Sequence, residues 1–129
     1  MSQLKSLEKT VFPSKEQTIK VEHDEKYSGA HKYEFKNCLG FDQEKQQPIY
    51  EESYQTIQFV QKNEDGTVIP GVQTEQLLLA LIDRHEKMDT VYPDPENKKM
   101  IESLKQALGF QENRTHNRMA AGKMGKLEK

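Results

Sequence analysis

The chain has 129 residues, of which 19 are Lys or Arg and 21 Asp or Glu, for a formal net charge of −2. A balance so close to neutral argues against a general DNA or membrane binder, and the single cysteine, Cys38, excludes an intrachain disulfide or a multi-cysteine zinc site. With a hydrophobic share of 33%, a compact monomer has a thin core, so a partly disordered chain and a core completed by a second copy are both expected.

Residues 1–30 are rich in Lys, Glu and Ser and lack a sustained period of two or 3.6. They read as a flexible N-terminal arm in which Thr18–Val21 could add a short edge strand. A single domain follows over 31–129, with a β segment at 31–70 and a helical hairpin at 72–122. Tyr33 and Phe35 alternate with charged residues, which suits a half-buried strand, and Phe41–Ser53 reads as a polar connection. Tyr54–Lys62 is the best strand pattern in the chain, with Ile57 and Phe59 on one face. Asp65-Gly66 then marks a hairpin turn, and Thr67–Ile69 returns antiparallel until Pro70 stops the pairing.

The first helix is expected after Gly71, with Thr74 as N-cap and Glu75 favoured in the first turn. Leu77, Leu78, Leu79, Leu81 and Ile82 exceed a single apolar stripe, so this helix can touch a second helix on one side and the sheet or another protomer on the other. The short link Asp89–Pro93 predicts an antiparallel hairpin with Tyr92 at its mouth, either stacked on a ligand ring or, more simply, packed against the next helix. Pro93 and Pro95 place that second helix's start near Asp94. Met100, Ile101, Leu104, Ala107, Leu108 and Phe110 supply its apolar face, and Gly122 and Gly125 its end.

Arg114 and Arg118 lie four residues apart and project from one side of this helix. On spacing alone they are either solvated cations at a helix C-terminus, the simpler reading, or two guanidinium forks converging on an anion. Lys123, Lys126 and Lys129 against Glu128 make the local field positive. No phosphate-binding G-x-x-x-x-G-K-[ST] loop and no G-x-S-x-G nucleophile elbow occurs. Cys38 is expected as a partly buried structural thiol. His85 and Asp89 could share a metal, but no third ligand stands at ligand spacing. His23, His31 and His116 carry no catalytic argument. No catalytic residue, resident metal or cofactor is therefore assigned. No run of about 18 apolar residues and no apolar leader is visible, which makes a cytoplasmic, non-membrane protein the expectation.

Three runs together bring a resemblance. Thr74–His85 (TEQLLLALIDRH), the Y-P-x-x-x-N of Tyr92–Asn97 and the R-T-x-x-R-x-x-x-G-x-x-G of Arg114–Gly125 resemble the helical hairpin domain of phage sponge proteins. These anti-Thoeris and anti-CBASS proteins bind the nucleotide signals of bacterial immunity and hold them without cleaving them. The resemblance covers about residues 31–129 and is most specific over 74–125, and the β segment places it nearer the anti-Thoeris branch. It implies a phage anti-defence, host-virus role in the infected bacterial cytoplasm, without enzymatic activity. The implied ligand is a cyclic ADP-ribose isomer, with cyclic oligonucleotides as a wider class. By motif match the contacts are Asn97, Arg114 and Arg118. Where related sequences place an aromatic ten residues before the asparagine, this chain has Lys87, so Met88 or Tyr92 is expected to cover an apolar ring face.

Geometry adds a constraint. On one continuous helix, 17 steps at 1.5 Å separate Asn97 from Arg114 by about 26 Å, too far for one small ligand. A second copy packed antiparallel brings the two ends together. The expected architecture is thus α+β, a small antiparallel sheet followed by a long antiparallel helical hairpin, forming a homodimer with two equivalent pockets. Further assembly of dimers stays open. The rival readings are a protein–protein interaction module and, behind it, a nucleotide hydrolase using His85 or Glu86.

Overall fold

The computed structural model describes residues 3–24 and 29–122. The fold is α+β, and the chain divides into two compact units, Met1–Gln61 and Lys62–Lys129. The division falls at 61/62.

The first unit is a four-stranded antiparallel meander of β1 (Gln3–Ser6), β2 (Ile19–Asp24), β3 (Gly29–Asp42) and β4 (Gln47–Gln58), in that spatial order. Two strands thus come from the stretch read as an arm; the option of a strand at Thr18–Val21 anticipated β2, which is however an inner strand rather than an edge. The reason lies in the partners. Ile19 sits opposite Phe35, and Val21 opposite Tyr33, which in turn faces Ile57. Period two places these five side chains on one half-buried face. The Tyr33 ring stacks on Phe35 with centroids 6.3 Å apart and meets Phe59 edge-on at 5.7 Å. Lys20 lies over the Tyr54 ring at 4.9 Å, on the opposite face. Lys36 bonds Glu16 at 2.8 Å and Glu52 at 3.1 Å, and these two carboxylates, Glu16 foremost, hold its pKa above the usual lysine range.

The connection expected over Phe41–Ser53 shrinks to residues 43–46, where Asp42 Oδ1 accepts from the backbone N–H groups of Glu44 (3.0 Å) and Lys45 (3.1 Å). Pro48 does not stop the strand because β4 is the outer strand of its sheet, where a missing N–H is tolerated. Register shifts flank Cys38, and Gly40 takes φ +144°, a value suited to glycine. Contrary to expectation, the Cys38 thiol is exposed. Counting by two from Lys36 sets Cys38 off the face that Tyr33 and Phe35 share.

The strand read as Tyr54–Lys62 breaks at Val60. Short strands β5 (Gln61–Lys62) and β6 (Val68–Ile69) then pair across the expected turn. Gly66 adopts φ +87° there, and Asp65 Oδ1 accepts from Thr67 N at 2.9 Å.

The second unit is dominated by α1 (Thr74–Val91) and α2 (Pro95–Ala120), joined by three residues. Asp94 caps α2 by accepting from Glu96 N at 2.8 Å, with Pro95 in the first turn. The cap of α1 is Gln73 rather than Thr74, because the Gln76 side chain reaches back to Gln73 N at 2.9 Å. Thr74 is instead the first helical residue. Past Ala120 the helix ends at Gly122, φ +71°, as expected; Gly125 and the lysines at 123, 126 and 129 lie outside the described residues. Ile82 and Ile101, 7% and 8% exposed, are the buried apolar side chains among the described residues, flanked by half-buried Leu78, Leu104 and Leu108. The helical stripe is thus real, while the first unit has only a half-buried face.

Candidate ligand-binding site

Where α1 turns into α2, a cleft of about 340 Å³ is lined by Met88, Tyr92, Asp94, Glu96, Asn97 and Met100. Local chain chemistry places these groups. Asp94 must stand at the N-cap to satisfy the free N–H groups of α2, which sets Glu96 and Asn97 in the first turn and Met100 one turn further on. Met88 lies one turn before Tyr92, whose N–H closes α1 on the Met88 carbonyl at 2.8 Å.

Asn97 does more than line the cleft. Its Nδ2 donates to the His85 carbonyl at 3.1 Å and to Asp89 Oδ1 at 3.3 Å, bridging the two helices. Asp89 also accepts from Asp94 N at 3.2 Å and forms an ion pair with Lys98 through Oδ2. Lys98, and after it the Asp94 N–H, hold the Asp89 carboxyl below the usual carboxylate range. With its oxygens so engaged, Asp89 is a structural acceptor, and the metal option for His85 and Asp89 finds no support. Among the described residues no three His, Cys, Asp or Glu side chains cluster as a cation would require. His85 Nδ1 is buried without a hydrogen-bond partner. Lys105 pairs with Glu86 at 3.2 Å further along the hairpin.

One chain therefore gathers three of the five expected contacts, Met88, Tyr92 and Asn97, in one cleft. Tyr92 is 78% exposed, so it is not the packing residue that the simpler reading made it. Lys87, at the position where an aromatic is expected by resemblance, pairs with Asp83 at 2.9 Å in solvent and takes no part in the lining. Arg114 and Arg118 sit on the same unbroken helix as Asn97, near its other end, so the cleft of one chain does not include them. Arg114 is exposed and Arg118 half-buried.

Sequence reasoning missed Asp89, Asp94, Glu96 and Met100 as neighbours of Asn97. Met100 had a usable signal, since it lies three residues after Asn97 and so on the same helical side. Asp89 had none, because it sits on the other helix. Among the described residues no helix is long and apolar enough to cross a membrane. Compared with protein-family models and with curated protein sequences, the chain matches none.

Proposed function

We propose that this chain is a nucleotide sponge, a phage anti-defence protein that captures a cyclic ADP-ribose-type or cyclic oligonucleotide immune signal in the bacterial cytoplasm and sequesters it without cleaving it. The observation that carries the reading is the cleft at the hairpin elbow. It gathers an amide, an exposed phenol and two thioethers, while the paired arginines stand near the far end of the same helix. Thioether and aromatic surfaces suit a base or ribose face, and guanidinium forks suit a pyrophosphate.

In this reading the working unit is a homodimer. Antiparallel apposition of two α2 helices sets Asn97 of one copy beside Arg114 and Arg118 of the other, twice per dimer. Exposed apolar side chains on the hairpin, Leu79 at 55% and Phe110 at 74%, support burial against a second copy. The chemistry is stoichiometric: neutralise the phosphates, cover the ring, and offer no base aimed at the glycosidic or phosphate bond.

Calorimetric titration against cyclic ADP-ribose isomers and cyclic oligonucleotides tests the reading, together with the native mass of the complex. One ligand per pocket in a dimer, recovered intact after heat denaturation, is the expected result. Arg114→Ala or Arg118→Ala is expected to weaken binding at least about thirtyfold, equivalent to about 2 kcal/mol for truncating a buried charged contact. Absence of binding across the panel, or recovery of cleaved product, overturns the proposal.

A further inference from the structure

We propose that Asp89 is a positioning residue that turns the Asn97 NH₂ onto α1, so that the cleft meets its ligand with the Asn97 carbonyl oxygen and selects the donor edge of a nucleoside. The sponge reading supplies the ligand class, and this inference rests on it for that alone. The orientation follows from chemistry on the spot. A backbone carbonyl, His85 O, and a carboxylate oxygen, Asp89 Oδ1, lie 3.1 and 3.3 Å from the Asn97 amide nitrogen. Both can only accept, so the end of the amide facing them must be the NH₂, whose two hydrogens they consume. An amide flipped the other way would set its oxygen against two acceptors.

Asp89 can impose this because it is itself fixed. Its side chain is 14% exposed, with Lys98 on Oδ2 and the Asp94 N–H on Oδ1. What remains for a ligand is Asn97 Oδ1, in a cleft whose other polar lining residues are Tyr92 and the acids Asp94 and Glu96. Among the described residues this lining includes no Lys or Arg. With Glu96 paired to Lys99 at 3.2 Å and Asp94 serving as the N-cap, the acceptor-rich lining suits an uncharged group with O–H or N–H to give. A ribose hydroxyl or an exocyclic amino group fits. The anionic part of the same ligand then belongs to the arginines that the second copy brings beside Asn97, which separates the two halves of recognition by chemistry.

The test uses the nitrogen-15-labelled full chain, with adenosine, 2′,3′-dideoxyadenosine, N6,N6-dimethyladenosine and cyclic ADP-ribose as probes. Adenosine needs only the cleft. The Asn97 side-chain amide protons are expected to exchange slowly with solvent and to shift little when adenosine is added. Adenosine should bind about tenfold more tightly than at least one of its two analogues, the scale of one lost hydrogen bond. Asp89→Ala, which removes the acceptor, should reduce that preference towards unity while Met88 and Tyr92 signals still respond, an outcome that simple loss of folding does not produce. Fast amide exchange, amide protons driven far by adenosine, equal affinity for the three nucleosides, no response to adenosine, or a preference untouched by Asp89→Ala each overturns the inference. Should the adenosine results come out as expected while cyclic ADP-ribose fails to bind, the sponge reading falls and the acceptor assignment stands.

Discussion

Asp89 is where one side chain sets the behaviour of several others. Its carboxyl is held low by Lys98, by the Asp94 N–H and by Asn97, so its contribution to folding is present above the ordinary aspartate range, about pH 4, and fades as pH falls through the depressed folded value. Wild type should therefore melt at a higher temperature than Asp89→Asn at pH 6, and the gap should close in acid; a gap that persists at pH 2, by thermal melting of the helical signal, would remove the ion pair from the account. Tyr92 tests the opposite situation. With its ring 78% exposed, Tyr92→Ala should change stability by less than about 0.5 kcal/mol. Nucleotide affinity should nevertheless drop about tenfold, within the range for one lost stacking partner, as read by calorimetry beside a denaturation curve.

At the scale of elements, the hairpin is held by few but well-placed groups. Ile82 and Ile101 are its buried apolar residues, and the elbow is tied by Asn97, Asp89 and Lys98. Ile82→Ala and Ile101→Ala should each cost about 2–4 kcal/mol of unfolding free energy, measured by urea titration, because each removes methylenes from a site that cannot fully collapse. Asp94→Ala should cost about 1 kcal/mol through the lost N-cap. The sheet is organised differently. Its strands share one half-buried face centred on Tyr33, with charged pairs such as Lys36 with Glu16 and Glu52 elsewhere. Strand β3 bends at two register shifts around an exposed thiol.

For the molecule as a whole, the decisive question is whether two incomplete chains complement each other. Asn97→Ala and Arg114→Ala should each abolish tight binding alone. Mixed and allowed to exchange in equal amounts, they should regain about a quarter of the wild-type site count. Half of the dimers are then hybrids, and each hybrid rebuilds one of its two pockets. Calorimetric stoichiometry reads this directly, and a mixture as inert as its components would exclude a pocket shared between copies.

How much of this was legible in the amino-acid sequence follows the reach of the interactions. Proline at the entry of α2, glycine at its exit, the Asp65-Gly66 turn and the Ile82 and Ile101 stripes act over a few residues, so the residues alone determined the helical hairpin and the ribbon before it. The cap of α1 slipped by one residue because Gln73 and Gln76 compete with Thr74 for the same role. Tertiary structure decided what depends on distant partners. Thr18–Val21 hinted at a strand by its alternation, but that Ile19 and Val21 pair with Phe35 and Tyr33, and that Gln3–Ser6 adds a further strand beside them, depends on partners that no local pattern names. Likewise the direction of the Asn97 amide comes from a carbonyl and a carboxylate on the preceding helix. Backbone preference is written residue by residue, whereas the orientation of a polar group is set by whichever acceptors folding brings within about 3 Å of it.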